Sequence, residues 1–309
     1  MELTPTQQRL LQQLRRDGEP LVFDADFIED LRSRAEAVVA DASAALGGAK
    51  LVVGKTFLNT ALGCEAKHLA PDEFSWNPAT ARGFVSHKAI ELAAHWQGEA
   101  DPATLVDESL ARFADEPGNR GDFVASMTDA ERAELRAGAI ERTTRFIQDF
   151  PPLPRNAHPL FESRIRWSPR GTVELVGKTD LVVGKPDGRI STRLIIDFKT
   201  GWPSAFHRLD LRFYALVEAL VRRVPPRRVA TYYLDSCEAD VEDVTEGILE
   251  STLARVEGAI QRHIEITVGG RPPSKSPSAA CRWCPLSSEC DEGTLHLRAL
   301  ADDGSQGFD

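Results

Sequence analysis

An acid and a lysine lie two residues apart in the run Ile195-Ile196-Asp197-Phe198-Lys199-Thr200-Gly201. The apolar residues around them predict a β-strand, in which alternate side chains share a face, so Asp197 and Lys199 project together. A carboxylate there can hold a divalent cation, and a neighbouring ammonium group can stabilise negative charge that develops on a phosphate. The pair therefore suits metal-assisted hydrolysis of phosphodiesters, although an isolated pair of this kind is more often a solvated ion pair at a sheet edge.

A second acid, Asp180, lies at the start of another apolar run, and Gly177 comes three residues before it. The sequence at 185–188, Lys-Pro-Asp-Gly, is typical of a turn and predicts an antiparallel pair of strands. If the two ends of this turn oppose one another, Asp180 lies opposite Arg193 and shares a face with Asp197. A one-residue change of register would put the two acids on opposite faces, so both arrangements stay open.

Taken in order, these residues resemble the RecB-like branch of the PD-(D/E)XK nucleases. The pattern of that branch is a histidine on a helix, followed by G-x-x-D, D-x-K-T-G and Q-x-x-x-Y. The matching residues here are His87, Gly177, Asp180, Asp197, Lys199 and Tyr214. The resemblance implies that His87, Asp180 and Asp197 bind Mg²⁺ or Mn²⁺. It also implies that Lys199 and Tyr214 complete the catalytic site together with the two acids.

Some residues depart from this pattern or add to it. Asp210 stands where the family usually has glutamine, which leaves open how its helix contacts the substrate. Glu162 precedes the first core strand, where some relatives supply an additional acid. The histidines His68, His95 and His207 match no pattern, and a lone histidine is more often a structural residue than a metal ligand.

Three of the five cysteines are closely spaced, as C-x2-C-x5-C, at Cys281, Cys284 and Cys290. A tetrahedral metal or a cubane cluster needs a fourth ligand, for which Cys64 is the candidate. This arrangement resembles a subset of RecB-like nucleases that includes AddB and the CRISPR-adaptation exonucleases. That resemblance implies a structural four-iron four-sulfur (4Fe–4S) cluster, with zinc as the rival at the same thiols. Cys237 lies outside the pattern and is interpreted as a structural thiol.

Cationic and aromatic residues outside the motifs are candidates for contact with DNA. One cluster consists of Arg222, Arg223, Arg227 and Arg228, and a second consists of Arg164, Arg166 and Arg170. Phosphate contacts supply most non-specific affinity for DNA, so these clusters fit a DNA track, although a solvated face is the commoner explanation for either alone. Trp202 and Phe206 fit either stacking on an unpaired base or a place in the core.

The surrounding sequence predicts the elements that must position these residues. Helices are predicted over 4–17, 27–46, 83–97, 204–224 and 241–267, and strands over 51–56, 164–167, 172–183, 190–198 and 229–234. Residues 100–150 are helical, polar and rich in alanine, which is typical of a peripheral insertion. Gly54-Lys55-Thr56 matches the end of a phosphate-binding loop, but Ala49 stands where that loop requires glycine.

Together these features predict an α/β protein with a restriction-endonuclease-like mixed sheet flanked by helices, with helical additions and a C-terminal cysteine cluster. The expected organisation is a helical region at 1–50, a nuclease domain at 51–297 and a flexible tail at 298–309, with an insertion at 98–155 and a cysteine segment at 275–297. The net charge of −10 excludes a wholly basic surface but not a local basic groove. The chain has no long apolar run and no signal-peptide pattern, which predicts a cytoplasmic protein without membrane contact.

The function expected from the resemblance is metal-dependent DNA cleavage, as an exonuclease acting on single-stranded DNA or on single-stranded ends. The expected setting is DNA repair, recombination or defence, with a helicase or another protein of these pathways as a partner. The alternative is a catalytically idle nuclease-fold module that binds nucleic acid or a helicase. An iron–sulfur electron-transfer protein is a weaker explanation, because it leaves Asp197 and Lys199 without a role.

Overall fold

The computed structural model describes residues 2–71, 75–96, 98, 101–115, 119–169 and 171–305. Arg170, the last residues of the predicted tail (306–309) and five residues of the predicted insertion (99, 100 and 116–118) lie outside these ranges. The chain forms two compact units, each assembled from separate stretches of sequence. The first comprises Met1–Glu29, Ser75–Ile165 and Gly177–Leu249, and the second comprises Asp30–Phe74, Arg166–Val176 and Glu250–Asp309.

The regular elements within these ranges are helices and strands in mixed order. The α-helices are α1 (Pro5–Leu14), α2 (Ala25–Ala45), α3 (Lys55–Ala61), α4 (Glu65–Leu69), α5 (Pro78–His95), α6 (Pro102–Asp115), α7 (Asn119–Ser126), α8 (Asp129–Asp149), α9 (Ala205–Arg222), α10 (Glu246–Thr267) and α11 (Asp291–Ser305). The strands are β1 (Leu51–Val53), β2 (Leu160–Trp167), β3 (Val173–Val183), β4 (Leu194–Lys199), β5 (Arg228–Tyr233) and β6 (Glu238–Asp243). Every helix in this described part of the chain is too short or too polar to span a membrane.

The six strands form one mixed sheet in the order β1-β3-β4-β5-β6, with β2 paired to β3. β1 runs parallel to the start of β3, and β4 runs parallel to β5. The pairs β3–β4 and β5–β6 are antiparallel. Parallel neighbours need a crossover connection, and α9 supplies it between β4 and β5. This mixed sheet flanked by helices confirms the predicted fold class.

The register between β3 and β4 differs from the one predicted from the turn. Leu181 pairs with Ile196, and continuing this register by one residue places Asp197 rather than Arg193 opposite Asp180. The difference is four residues, an even number, so the two acids still belong to one face of the sheet.

The core of the first unit packs against the sheet face that carries Ile196 and Phe198. These side chains cluster with residues of α1, α5, α8 and β5 and with the residue that follows α8, namely Leu10, Leu14, Ile90, Phe146, Phe150, Ala230 and Tyr232. Alternation along β4 therefore assigns Asp197 and Lys199 to the opposite face, as predicted. Burial of each large apolar side chain contributes about 1.5–3 kcal/mol, so this cluster holds β4 in its register.

The helices at 101–149 are part of a second core cluster, so the prediction of a peripheral insertion was wrong. Buried residues of α6 and α8 pack with α5 in this cluster, which contains Ala81, Val85, Ala89, Leu105, Val106, Phe113, Leu135 and Ala139. In α8 the buried positions recur every three or four residues, and the polar side chains that indicated a surface location occupy the other faces.

The second unit contains β1, the start of β3, most of α2 and α10, and the helices α3, α4 and α11. Polar contacts join stretches that are distant in sequence. The Ser43 and Thr172 hydroxyls lie 3.1 Å apart. Arg34 of α2 pairs with Glu250 of α10, with 3.4 Å between nitrogen and oxygen.

β6 is a strand where the sequence predicted the start of a helix at 241–267. Its side chains are largely half-exposed and rich in acids, and acidic residues are poor strand formers, so the local pattern gave no strand signal. The strand forms because its backbone pairs with β5. Three of its four acidic side chains, at 240, 242 and 243, also pair with Arg208, Arg212 and Arg228.

The ends of two other predicted segments also differ. The strand predicted at 190–198 begins only at Leu194, and Ile190 makes isolated bridges instead. The segment predicted as a flexible tail is helical as far as Ser305, since α11 continues to that residue. The predicted domain boundaries stay a prediction.

Replacement of Phe113 tests whether the helices at 101–149 are integral to the first unit. Phe113 is 1% exposed, so Phe113→Ala should lower the free energy of unfolding by about 3–5 kcal/mol. Phe206→Ala is the matched control, because Phe206 is 58% exposed and its loss should change stability by no more than about 0.5 kcal/mol. Urea denaturation followed by circular dichroism measures both. If the two variants are equally stable, the helices at 101–149 are not integral to the core of the first unit.

Candidate active site

Three side chains of the first unit, His87, Glu162 and Asp180, meet at one point. Among the described residues they are the only group of three potential metal ligands whose ligand atoms all lie within 4.8 Å of one another. One imidazole and two carboxylates are hard donors that suit Mg²⁺ or Mn²⁺, so the donor set fits a divalent cation. His87 and Asp180 are two of the predicted ligands, and Glu162 is the additional acid that the family resemblance suggested.

Each of these residues comes from a different element. α5 carries His87, and the first turn of that helix is fixed by reciprocal hydrogen bonds between Asn77 and Thr80, both of 3.0 Å. Glu162 lies in β2 with a φ of 51°, in the left-handed region that non-glycine residues rarely adopt. Strain of this kind persists where the surroundings impose it, and here it accompanies a side chain that contacts Lys178 and faces the other two ligands.

Asp180 connects the three potential ligands His87, Glu162 and Asp180, here called the metal group, to the sheet. Its Oδ2 accepts a hydrogen bond of 2.6 Å from the backbone N–H of Phe198, and its Oδ1 lies 3.4 Å from His87 Nδ1. Burial raises the pKa of Asp180, but the charge and hydrogen bond of His87 outweigh it, so the pKa of Asp180 is lowered overall. Burial lowers the pKa of His87, but the charge of Asp180 outweighs that effect and the pKa of His87 is raised. The carboxylate is therefore ionised at neutral pH, the form that can bind a cation.

Asp197 and Lys199 form an ion pair beside this group. Lys199 Nζ lies 2.5 Å from Asp197 Oδ2, and the Asp197 side chain is almost completely buried. Asp197 acts electrostatically on His87 and on Tyr214, so it lies within reach of both. Burial raises the pKa of Tyr214 and the charge of Asp197 raises it further, so its phenol stays neutral. The predicted role of Asp197 as a third ligand stays a prediction.

Tyr214 explains the glycine that precedes Asp180. A Cβ at position 177 would lie 2.8 Å from Tyr214 Cδ1 and 3.1 Å from Ile165 Cγ2, closer than side chains pack. Gly177 therefore lets the tyrosine ring lie directly on β3. Asp210, one helical turn before Tyr214 on α9, is buried and contributes to the raised pKa of this tyrosine.

The residues after the lysine are held by groups that no sequence pattern had singled out. Asp235 Oδ2 accepts a hydrogen bond of 2.6 Å from the backbone N–H of Gly201, and Asp235 Oδ1 lies 2.5 Å from Arg142 Nη2 of α8. α5 also comes close to this segment, since a Cβ at Gly83 would lie 3.3 Å from Thr200 Oγ1. The helices α5 and α8 therefore help to fix the segment that follows Lys199.

The metal group opens onto a cavity of about 490 Å³. Besides the three ligands, the charged residues that line it are Lys88, Glu91, Arg112, Arg120, Arg164 and Lys178. A larger cavity, of about 630 Å³, lies between the start of α9 and β6 and contains none of the three ligands. The smaller cavity is therefore the candidate active site.

The four arginines predicted to bind DNA all contact other parts of the first unit; they are Arg222, Arg223, Arg227 and Arg228. Carboxylates pair with three of them, namely Glu218 with Arg222, Glu29 with Arg223 and Asp243 with Arg228. Arg227 and Arg228 also donate to backbone carbonyls at the end of α1. These contacts give the four residues a structural role, and their part in DNA binding stays a prediction.

Trp202 and Phe206 do not belong to the core. Their side chains are 91% and 58% exposed, which removes one of the two roles that the sequence allowed. Stacking on a base stays a prediction for both.

The cysteine segment lies in the second unit. The backbone N–H groups of Ser278 and Gly293 donate to the sulfurs of Cys281 and Cys290, both at 3.4 Å. Such hydrogen bonds to sulfur are typical of outer contacts around thiolate-bound metals. A Cβ at Gly293 would lie 3.4 Å from both sulfurs, so this glycine sits between them. The binding of a metal or a cluster by these thiols and Cys64 stays a prediction.

Glu65, next to Cys64, binds the segment that leads to the other cysteines, and its hydrogen bonds to Arg271 and Ser274 are here called the Glu65 clasp. Its carboxylate, 2% exposed, accepts hydrogen bonds of 2.9 and 2.7 Å from Arg271 and of 2.7 Å from the backbone N–H of Ser274. The hydrogen bonds from Arg271 lower the pKa of Glu65 to about 2. The backbone N–H of Ala66 also donates to the Ser274 carbonyl. Cys64 therefore lies next to residues that hydrogen-bond directly to the segment that precedes Cys281.

The PD-(D/E)XK nuclease superfamily matches this sequence over residues 56–291, most of the chain. The chain therefore belongs to this superfamily, and the matched span contains every residue of the candidate active site. Among curated proteins, no sequence matches significantly.

Two solved structures are distantly similar. One, from Eubacterium rectale and named "Putative exonuclease", has a TM-score of 0.44 and 13% identity over 80% of this chain and 87% of the other. The other, SSO0001, has a TM-score of 0.33 and 13% identity over 69% of this chain and 97% of that one.

Gly177→Ala tests the contact between Tyr214 and β3. The added methyl group collides with two buried side chains, so the free energy of unfolding should fall by about 1–3 kcal/mol. Gly247→Ala is the control, because a Cβ there meets nothing within 4 Å and the change should be neutral or slightly stabilising. Chemical denaturation of both variants gives the comparison. A Gly177→Ala protein as stable as its control would contradict the close contact.

Proposed function

We propose that this protein is a divalent-metal-dependent deoxyribonuclease of the RecB-like branch, acting as an exonuclease on DNA with single-stranded character. The observation that carries the proposal is the meeting of His87, Glu162 and Asp180 beside the Asp197–Lys199 ion pair. Mg²⁺ or Mn²⁺ is the proposed metal, in keeping with the hard donors of the group. DNA repair, recombination or defence is the proposed setting, with a helicase or related protein as partner.

Each residue of the site has a separate role in the proposed hydrolysis of phosphodiesters. His87, Glu162 and Asp180 would hold a divalent cation, which would supply Lewis-acid stabilisation of the phosphate and would lower the pKa of a water molecule. Lys199 is positioned by Asp197 to donate to a phosphate oxygen as negative charge develops. Asp180 stays ionised and is held by the Phe198 N–H. Tyr214 keeps its neutral phenol beside Asp197, where it packs on Gly177.

The cysteines are proposed to hold a structural 4Fe–4S cluster. Cys64, Cys281, Cys284 and Cys290 would be the ligands, and zinc is the rival at the same thiols. The hydrogen bonds to the sulfurs of Cys281 and Cys290 support a thiolate centre, and the Glu65 clasp supports the closeness of the two cysteine-bearing stretches.

An idle binding module is the alternative function. The residues argue for catalysis, because the acids, the lysine and the imidazole are all present: His87, Glu162 and Asp180 meet, and Asp197 pairs with Lys199. The deciding experiment is cleavage of labelled single- and double-stranded DNA with Mg²⁺, with Mn²⁺ and with a chelator. Metal-dependent cleavage supports the proposal, and binding without cleavage under every condition supports the alternative.

Asp197→Asn and Lys199→Ala should each lower the cleavage rate by about 100-fold or more, because Lys199 acts on the reacting phosphate and Asp197 positions Lys199 and is the predicted third metal ligand. Both proteins should stay folded by circular dichroism. Lys185→Ala and Asp187→Ala are controls of matching residue type in the turn between β3 and β4 and should keep full activity. Full activity of a folded Asp197 or Lys199 variant would remove the proposed site.

Cys281→Ser should remove iron and sulfide from protein purified without oxygen and lower its melting temperature by several degrees. The physical reason is that a closed thiolate centre ties together stretches distant in sequence. Cys237→Ser is the control, because Cys237 lies outside the cysteine pattern, and it should keep its iron. Metal analysis and thermal melts measure both variants. Stoichiometric zinc without iron in the unaltered protein would decide for the rival metal.

A further inference from the structure

The cavity at the metal group is rich in positive charge beyond its three ligands. Five cationic residues line it, namely Lys88, Arg112, Arg120, Arg164 and Lys178. Glu91 is the one other acid among its described lining residues, and it pairs with Lys88 at 2.7 Å. The whole chain carries a net charge of −10, so cations are concentrated here against the overall balance. Five cations face three carboxylates in this lining, and a concave surface with an excess of one charge raises the local concentration of an oppositely charged ligand.

Two of these cations, Arg112 and Arg120, come from the helices α6 and α7. The guanidinium carbon of Arg120 lies 4.6 Å from the ring centre of Phe84 and 5.5 Å from that of Trp76. These are cation–π distances, and aromatic rings orient a guanidinium group without neutralising its charge. The Trp76 ring is itself held by a hydrogen bond of 3.3 Å from its Nε1 to Asn119 of α7.

Arg112 is held more loosely than Arg120. Its Nε lies 2.8 Å from Glu108, one helical turn earlier, and both side chains are about half exposed. Exposed pairs of this kind contribute little free energy, so a phosphate can replace the carboxylate at small cost.

We propose that α6 and α7 form a substrate-binding wall, in which Arg112 and Arg120 bind backbone phosphates of one DNA strand and align it with the metal group. The inference rests on the proposed nuclease function and extends it, because it names residues outside the sequence motifs that bind the substrate. Arginine is suited to this role, since its planar fork donates two parallel hydrogen bonds to a phosphate.

The cavity selects one strand by its size. Its volume of about 490 Å³ is in the range of pockets that enclose small ligands, about 300–1,000 Å³. A cube of this volume has an edge of about 8 Å, which admits a short stretch of a single strand, whereas a duplex is wider still than its major groove of about 12 Å. The cations also line the cavity itself, so the bound backbone lies inside it rather than across an outer surface.

The test is equilibrium binding of a labelled single-stranded oligonucleotide, measured by fluorescence anisotropy over a series of KCl concentrations. Asp197→Asn serves as the background that prevents cleavage. Arg112→Gln and Arg120→Gln should each weaken binding about tenfold at low salt, because each removes a charged hydrogen bond to phosphate. Each should also reduce the slope of log affinity against log salt by about 0.7, the value for one phosphate contact on a single strand.

Arg136→Gln is the matched control. This arginine belongs to α8, pairs with Asp107 at 2.6 Å and is not part of the cavity lining, so binding and salt slope should stay unchanged. In the active background, the Arg112 and Arg120 variants should raise KM for single-stranded DNA with little change in kcat.

Two results would overturn the wall. One is binding by the Arg112 and Arg120 variants that equals binding by the Arg136 control. The other is a blunt duplex that binds as tightly as the single strand and loses affinity equally in the variants. Failure of the proposed nuclease function gives a different result. In that case metal-dependent cleavage is absent, but DNA binding still depends on Arg112 and Arg120, so the nuclease proposal is rejected and the substrate-binding wall is retained.

Discussion

The hydrogen bond from the Phe198 backbone N–H to the Asp180 carboxylate is the constraint on which the site depends. It lies just beyond the last paired residues of β3 and β4. One oxygen of the Asp180 carboxylate accepts this hydrogen bond from the sheet, and the other faces His87. The register of β3 against β4 therefore sets the position of Asp180 as a potential metal ligand. The same register puts Asp197 opposite Asp180. The buried cluster around Phe198 keeps that register, because a shift would expose large apolar side chains.

The helices that cover this sheet also serve the site. α5 carries His87 and, through Gly83, approaches Thr200 beside the lysine. α8 reaches the same segment through the ion pair of Arg142 with Asp235. Both helices share one buried core with α6, so the packing of α6 and α8 and the placement of the catalytic strand are linked. Precise positioning of this kind comes from rigid elements rather than from loops.

In the second unit, the Glu65 clasp fixes two stretches of chain, as the Asp180 hydrogen bond does in the first unit. A buried carboxylate that accepts three hydrogen bonds joins the stretch after Cys64 to the stretch before Cys281. Breaking one partner of such a contact is costly, because it leaves a buried charge without compensation. The clasp therefore orders both stretches independently of what the thiols bind.

The sequence by itself determined most of the elements and which key side chains share a face of a strand. Alternation with period two placed Asp197 and Lys199 on one face and Phe198 in the core, and the resemblance to the RecB-like branch pointed to His87, Asp180, Gly177 and Tyr214. The alternation is a local property, set by backbone geometry within a few residues.

Only the tertiary structure decided the rest. The register that sets Asp197 opposite Asp180, the acidic strand β6, the left-handed Glu162 and the tie from Arg142 to Gly201 all join residues far apart in the chain or depend on such contacts. The core role of α6 and α8 was hidden by their polar composition, since burial depends on which face meets a partner. The physical reason is that local preference is weak compared with the summed free energy of long-range burial and pairing, and that sum exists only in the folded chain.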